Sequence, residues 1–247
     1  MGTAAFCILE KTDGGLFVEK LEYIQVLMPQ LLQGLKVTMQ LFVLTLALSI
    51  PLGLIVAIGR VSRIKPLQWL ISAYLLVFRG TPLMLQLFFF YFGLPFITVK
   101  IPFTEMVFQM PALERFSAAL LAFVLNYAAY FAEIFRGGII SVNQGQYEAS
   151  KALGLKPRQT MWYVVIPQML RTVVPPVANE TITLVKDTAL VSSVALIDIL
   201  KKAQQAVNRD MNVTAYLLAA LIYLVITMIL TFVFHKTEKR LSISQNR

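Results

Sequence analysis

Long apolar runs without charge are the feature that most constrains how this chain can fold. The run between Lys36 and Arg60, VTMQLFVLTLALSIPLGLIVAIG, has no charged residue. It is longer than the about 20 residues that a helix needs to cross roughly 30 Å of hydrocarbon. Similar runs extend from Leu67 to Phe96, interrupted only by Arg79, from Phe116 to Ala132 and from Met211 to Phe234. The pattern predicts an α-helical membrane protein.

The composition excludes a soluble globular enzyme. Apolar residues make up 57% of the chain and charged residues 14%, with a mean hydropathy of +0.70, whereas soluble domains carry roughly 25% charged residues. The net charge of +9 is not typical of a nucleic-acid partner here, since most basic residues lie between the apolar runs. One cysteine and one histidine rule out a disulfide framework and a metal site built from several such ligands.

The distribution of basic residues predicts how often the chain crosses the membrane. We predict spans at about 37–59, 67–95, 113–135, 160–186 and 212–234, since each approaches the required length. With the amino end outside, the inner segments then hold most of the basic residues: Arg60, Arg63, Lys65, Arg136, Lys151, Lys156, Arg158, Lys236, Lys239, Arg240 and Arg247. The outer segments carry acids and bases in similar numbers. This bias predicts an all-α integral membrane protein with five transmembrane helices and its carboxyl end inside.

The chain reads as a single transmembrane domain over residues 31–240, because no internal repeat or low-complexity linker divides it. Residues 1–30 form an extracytoplasmic or interfacial leader, residues 137–159 a cytoplasmic loop, and residues 241–247 a cytoplasmic tail. Apolar residues recur at mostly helical spacing between Leu16 and Leu35, which predicts an interfacial helix before the first span. A loosely ordered leader with a few apolar anchors is the alternative.

Motifs of energy conversion and catalysis are missing from the sequence. It has no GxxxxGK[ST] phosphate loop, no nucleophile elbow and no HExxH pair. The chain is therefore expected not to hydrolyse ATP and not to be an enzyme. Its function must lie in a path through the membrane or in its partners.

The cytoplasmic loop carries the most informative motif. Residues 146–167 read QYEASKALGLKPRQTMWYVVIP, which predicts a short helix ended by Gly154 and a new helix after Pro157. The stretch resembles the EAA loop of ATP-binding cassette (ABC) importer permeases. The matching positions are Glu148, Ala149, Ser150, Gly154, Val164, Ile166 and Pro167, of which Ser150, Val164 and Ile166 depart conservatively from the pattern. The resemblance implies a coupling helix that docks on an ATPase subunit.

Further stretches resemble the permeases for polar amino acids. These are GLKVTMQLFVLTLALSIPLGL from Gly34, FRGTPLMLQLFFFYFGLP from Phe78, NYAAYFAEIFRGGI from Asn126 and LVKDTALVSSVALIDILKKAQQ from Leu184. The resemblance implies the type I importer permease architecture in a bacterial cytoplasmic (inner) membrane. It also implies three kinds of partner besides lipid: ABC ATPase subunits, a second identical or homologous permease, and an extracytoplasmic amino acid-binding protein. ATP and Mg2+ would be used by the ATPase, with no cofactor on this chain.

Arg79 is the main candidate for contact with a solute. It follows Lys65 by about 21 Å of helix, which puts it well inside the bilayer. An arginine there costs about 2.5 to 3.5 kcal/mol on insertion scales, so it needs a partner or a wet cavity. Gly80, Thr81 and Pro82 follow and would expose backbone groups. Arg79 either attracts a substrate carboxylate or forms a structural ion pair with Glu180 or Glu133.

Other charged residues at membrane depth suggest pairs and a lining. Glu133 and Arg136 have the i,i+3 spacing of a helical ion pair. Glu180 is a candidate for a substrate amine, and Lys186 with Asp187 for a pair that closes the outer end. Helical spacing brings Asn179, Thr183 and Lys186 to one face, which suits a pathway or packing against a twin subunit.

Two rival functions differ from an ABC permease in what they require. An ion-coupled secondary amino acid carrier relies on intramembrane acids and inverted repeats, and the sequence shows no internal repeat. A structural membrane scaffold has no need for Arg79 or Glu180 within the bilayer. Solute-stimulated ATP hydrolysis by the purified assembly separates the three.

Overall fold

The structure is a computed structural model that describes residues 13–100 and 107–243. Almost all of this chain is helical, and a short antiparallel hairpin pairs Thr98–Lys100 (β1) with Val107–Gln109 (β2). The α-helices are α1 (Asp13–Val61), α2 (Lys65–Gly80), α3 (Leu83–Phe88), α4 (Arg115–Ser141), α5 (Gln144–Ala152), α6 (Pro157–Thr160), α7 (Ile166–Asp187), α8 (Ile199–Asp210) and α9 (Thr214–Ile243). Short π and 3-10 segments occupy Phe89–Gly93, Leu94–Phe96, Met161–Val165 and Thr188–Val194.

Several helices are long and apolar enough to cross a membrane. Leu21–Val61, Arg115–Ser141 and Thr214–Arg240 qualify singly, and α2 with the segment from Leu83 to Phe96 qualifies as one bent pair. The protein is therefore a multi-pass membrane protein. The apolar length of the predicted second span is present, but a bend of 105° divides it.

Helix α1 joins the predicted leader to the first span without interruption. It has 49 residues and includes Pro29 and Pro51. At 1.5 Å per residue such a helix is about 73 Å long, more than twice the hydrocarbon thickness. The segment predicted as an interfacial helix is thus helical where the structure describes it, but it is one piece with the span. The first twelve residues of the leader and the last four of the tail lie outside the described residues.

Helix α4 is the centre of the bundle. Its buried face is rich in small residues: Ala118, Ala119, Ala122, Ala128, Ala129 and Ala132. Small residues let helix backbones approach closely in membranes, and α1 uses this at Gly53. A Cβ at Gly53 would lie 2.8 Å from the Phe131 Cβ and 3.0 Å from the Ala128 carbonyl oxygen. The closely packed pair of α1 and α4 therefore forms the centre of the bundle, and the other helices pack around it.

A smaller core fixes α8 against the first and last helices. Leu27 and Leu31 of α1 are buried against Ile199 and Ala203 of α8 and Ala215 of α9. Because these contacts join segments far apart in the chain, α8 is held to the bundle along its apolar face.

The start of α8 is a buried N-cap. Asp198 is fully buried and accepts hydrogen bonds from the Lys201 and Leu200 N–H groups at 2.8 and 3.2 Å. Burial raises the pKa of the Asp198 carboxyl, and these hydrogen bonds oppose that rise. Gly34 of α1 packs on this turn, where a Cβ would lie 2.5 Å from the Asp198 carbonyl oxygen.

Candidate translocation site and coupling surface

The break between α2 and α3 brings irregular backbone to the predicted middle of the second span. Helix α2 ends at Gly80, Thr81 is extended with φ −122° and ψ 147°, and Pro82 caps α3. A cavity of about 410 Å³ adjoins this turn and is lined by Val77, Phe78, Thr81, Leu85, Gln86, Phe89 and Phe90. Non-helical backbone at membrane depth is tolerated where it is buried in protein or lines a water-filled cavity.

Arg79 lies at the end of α2 and faces α4. One guanidinium nitrogen is 3.9 Å from a Glu133 carboxylate oxygen, and the guanidinium carbon is 5.5 Å from the centre of the Tyr130 ring. Glu133 is engaged more closely by Arg136, which donates two hydrogen bonds at 2.7 and 2.9 Å. The predicted i,i+3 pair is thus confirmed, and one carboxylate serves two arginines. Arg79 keeps 42% of its side chain exposed.

One side of α7 is polar and uncovered. Asn179, Thr183 and Lys186 are exposed, and Glu180 beside them is half-buried. A Coulomb interaction links Arg79 with Glu180. The structure thus brings Arg79, one of the predicted path residues, into electrostatic range of another, Glu180.

In the described part of the chain, the Asp187 side chain contacts Tyr127 of α4 and not Lys186, the partner that the sequence suggests. It is half-buried and accepts a hydrogen bond of 2.7 Å from the Tyr127 hydroxyl of α4. Lys186 is exposed, and among the described residues it forms no ion pair with Asp187 within 4.0 Å. Asp187 therefore ties α7 to α4.

The loop predicted at residues 137–159 folds as its sequence predicts. Helix α5 runs from Gln144 to Ala152, and Gly154 has the left-handed φ of +72°. The Gly154 N–H donates to Lys151 and the Leu155 N–H to Ser150, both at 3.0 Å. This is the Schellman arrangement, in which glycine avoids the penalty that a Cβ incurs at positive φ. Pro157 begins the next helix and Pro167 lies in the first turn of α7.

The side chains of α5 divide into an anchored and a free set. Ser150 is buried and donates to the Gln146 carbonyl at 2.6 Å. Glu148 and Ala149 are exposed, and Glu148 accepts only a 3.3 Å hydrogen bond from Gln144 among the described residues.

Three large apolar side chains in and just after this loop are exposed: Leu153 to 79%, Trp162 to 67% and Tyr163 to 75%. Leu153 directly follows α5, so an exposed apolar side chain lies at the end of that helix.

Gln86 and Asn126 are two buried amides that the sequence analysis did not single out. They join the break to α4, and their side chains contact each other at 3.0 Å. The available signal was Pro82, which removes a backbone donor four residues after Phe78.

In the described residues, no group of three or more His, Cys, Asp or Glu side chains could hold a metal ion.

Comparisons with known proteins identify relatives over most of the chain. A family model described as binding-protein-dependent transport system inner membrane component matches residues 49–243. The L-cystine transport system permease protein of Bacillus subtilis (strain 168) is 37% identical over 215 residues, which is 86% of this chain and 87% of that protein. The arginine transport system permease protein of the same organism is 37% identical over 86% of this chain and 93% of its own.

Solved structures show the same architecture. A crystal structure of an amino acid ABC transporter with histidines matches with a TM-score of 0.78 and 32% identity, over 91% of this chain and 98% of that one. An inward-facing structure of the MetNI methionine ABC transporter matches with a TM-score of 0.65 and 19% identity, over 89% and 98%. At that lower identity the likeness shows the fold alone.

Proposed function

We propose a role in amino acid uptake from the premise that this chain belongs to the family of binding-protein-dependent transport system inner membrane components. The resemblance to ABC importer permeases is thereby confirmed. The chain is a transporter subunit rather than an enzyme, and ATP hydrolysis belongs to a partner ATPase subunit. The comparisons give no support to an ion-coupled secondary carrier. We propose that the chain lies in the cytoplasmic (inner) membrane and that its substrates are polar amino acids.

The proposed topology has five crossings, with the amino end outside and the carboxyl end inside. The three long apolar helices and the bent pair account for four. We add α7 as the fifth, because its 22 residues give about 33 Å of helix, close to the hydrocarbon thickness. The basic character of α5 and its flanks then falls on the inside, as the positive-inside bias requires.

The proposed docking surface for the ATPase is α5 and the turn that follows it. Glu148 and Ala149 are exposed and available for contact, and the Ser150 hydroxyl donates to the Gln146 carbonyl within the helix. Gly154 forms the turn that follows. Pro167 begins the helix that leads into the membrane. Force from the ATPase, which would bind ATP and Mg2+, would enter the bundle through this short element.

The proposed path for the solute lies between this chain and a second permease subunit. Exposed polar side chains at membrane depth are expensive against lipid and are found facing a bundle interior or a water-filled cavity. Asn179, Thr183 and Lys186 of α7 fit such a lining. Glu180 of the same helix adds an acid, which interacts electrostatically with Arg79. Thr81 and Asp187 mark its ends in this assignment.

The single observation that carries this proposal is the uncovered polar face of α7, whose Glu180 interacts electrostatically with Arg79 of α2. Arg79 offers a planar cation for a carboxylate, and Glu180 offers an anion for an amine. A zwitterionic amino acid has both groups. Alternating access would then expose this lining first to the outside, where an amino acid-binding protein delivers solute, and then to the inside.

Reconstitution tests the proposal. The chain is purified with its ATPase and its binding protein, placed in proteoliposomes, and assayed for ATP hydrolysis and uptake with a panel of amino acids. We expect at least one polar amino acid to stimulate hydrolysis and to accumulate only when ATP is present. Accumulation driven by an ion gradient without ATP, or hydrolysis that no amino acid stimulates, would overturn it.

A further inference from the structure

The helix break leaves several backbone carbonyls without their helical donors, and those of Phe78 and Thr81 are two of them. In a continuous helix the Phe78 carbonyl would accept from the N–H of residue 82, but Pro82 has none. The Thr81 carbonyl would accept from Leu85, whose N–H donates instead to the Pro82 carbonyl at 3.0 Å. Backbone groups at membrane depth must be satisfied within the protein, so both carbonyls require other donors.

Two side-chain amides supply those donors. Asn126 Nδ2 donates to the Phe78 carbonyl at 2.8 Å, and Gln86 Nε2 donates to the same oxygen at 2.9 Å. Gln86 Nε2 is also within hydrogen-bond distance of the Thr81 hydroxyl oxygen at 2.9 Å and of the Thr81 carbonyl oxygen at 3.1 Å. The second hydrogen on Asn126 Nδ2 goes to the Gln86 Oε1 at 3.0 Å. The amides and the two carbonyls therefore form one connected network.

This network lies in the protein interior. Only 4% of Asn126 and 7% of Gln86 is exposed. Hydrogen bonds in such surroundings are stronger than in water, and breaking a connected network is costly. The cavity of about 410 Å³ next to the break is lined in part by Phe78, Thr81 and Gln86. The hydrogen bonds therefore hold the backbone of the break beside a partly open cavity.

The same face of α4 also holds the neighbouring arginine. Asn126, Tyr130 and Glu133 follow the i, i+4, i+7 spacing of one helix face. Asn126 donates a hydrogen bond to the Phe78 carbonyl. Tyr130 and Glu133 contact the guanidinium of Arg79, which directly follows Phe78 in the sequence. The backbone of the break and the cation beside it are therefore positioned from one surface.

We propose that Asn126 and Gln86 are positioning residues, which hold the break at residues 78–82 in its bent form and so fix Arg79 toward the translocation path. The part of this proposal that concerns transport rests on the proposed function. The part that concerns the shape of the break does not.

Asn126→Asp is the variant that most directly tests the bracket, which is the hydrogen-bond network in which Asn126 and Gln86 donate to the Phe78 and Thr81 carbonyls. An ionised carboxylate has no hydrogen to donate to the Phe78 carbonyl, whereas a protonated carboxyl has one. The bracket is therefore lost at high pH and partly restored at low pH. A role in packing alone predicts no such pH dependence, since the two forms have almost the same shape.

The break is measured by the distance between spin labels on its two sides. Trp69 and Phe96 are 78% and 85% exposed, and each is replaced by cysteine in a Cys7→Ser background. The labelled chain is mixed with excess unlabelled chain in the assembled transporter, so that distances within one subunit dominate. Pulsed electron resonance and uptake are recorded from about pH 6 to pH 9.

We expect the original sequence at residue 126 to give one narrow distance distribution throughout. With Asn126→Asp, the distribution should broaden or shift at high pH, and uptake should fall by about tenfold relative to the unmodified residue. Both should recover toward low pH. A distribution that stays unchanged at all pH values in Asn126→Asp and also in Gln86→Met, which has no amide at any pH, would overturn the proposal, as would restored distances with uptake still lost.

Two further variants keep the test decisive. Thr45→Val is the matched control, because Thr45 is fully buried and its hydroxyl has no hydrogen-bond partner in the part of the chain that the structure describes; it should alter neither readout. If Asn126→Asp does not assemble, Gln86→Met replaces it, and its distance distribution alone decides. Should the transporter move no amino acid at all, the distance measurement still tests the bracket, so the two failures are distinguishable.

Discussion

Arg79 differs from a neutralised structural arginine in how its charge is balanced. Glu133 gives its close contacts to Arg136, at 2.7 and 2.9 Å, and stands 3.9 Å from Arg79. One carboxylate thus faces two guanidinium groups, and Glu180 is a second acid that interacts electrostatically with Arg79. Tyr130 at 5.5 Å stabilises the cation without neutralising it. A guanidinium that is 42% exposed and stands 3.9 Å from its ion-pair partner suits an arginine that attracts an anion.

Arg79→Lys tests whether the planar shape of the cation is used. Lysine keeps the charge but cannot form two parallel hydrogen bonds to a carboxylate. We expect uptake to fall by about tenfold, which corresponds to about 1.4 kcal/mol, while the complex still assembles. Arg115→Lys is the control, because Arg115 is exposed and donates only to the Tyr91 hydroxyl among the described residues. Equal uptake and half-saturation in both variants would remove Arg79 from the solute path.

Individual contacts were predictable from the sequence when they are local. The pair between Glu133 and Arg136 follows from i,i+3 spacing on one helix, and the structure has it. The contact between Gln86 and Asn126 joins residues that are 40 positions apart. No local pattern signals it, since the partner of an unsatisfied carbonyl is chosen by tertiary packing.

At the scale of elements, the coupling loop is the part that local rules specify best. Its helix, its glycine turn and its following proline appear where the sequence predicts them. The bend of 105° between α2 and α3 was not predictable, because Pro82 shows where the helix is interrupted but the angle depends on α4. The unbroken course of α1 through Pro29 is likewise set by packing of Leu27 and Leu31 on α8 and α9.

Gly154→Val tests the coupling element through its backbone. At φ +72° a side chain with a Cβ costs about 1 kcal/mol or more, and a β-branched one costs further strain. The turn after α5 should therefore distort, and we expect membrane insertion to persist while uptake and association with the ATPase are lost. Binding of solute by the extracytoplasmic protein, measured separately, should be unaffected.

Gly137→Val provides a matched comparison for that experiment. A Cβ at either glycine meets no atom within 4 Å, but only Gly154 has a positive φ. Loss at Gly154 with retention at Gly137 therefore reports on the turn rather than on added bulk. Normal uptake and normal ATPase association in Gly154→Val would contradict the coupling assignment.

At the scale of the whole molecule, α7 connects α5 and α8. The topology depends on whether these two helices lie on opposite sides of the membrane. Helix α5 precedes the amino end of α7 and α8 follows its carboxyl end, and the 22 residues of α7 give about 33 Å of helix between them. The three apolar helices were predictable from hydropathy alone. Helix α7 was harder to assign, because three prolines and several polar residues lower its apolar character, and its crossing remains a prediction from charge and length.

Labelling of single cysteines in intact cells tests this arrangement. Gln144 lies at the start of α5 and Gln205 in the middle of α8, and both are exposed. In a Cys7→Ser background, we expect a membrane-impermeant maleimide to label Gln205→Cys in intact cells and to label Gln144→Cys only after the cells are opened. The physical reason is the positive-inside bias, which retains the basic segment around α5 in the cytoplasm. If both positions react from the same side, α7 does not cross the membrane and the five-span arrangement is wrong.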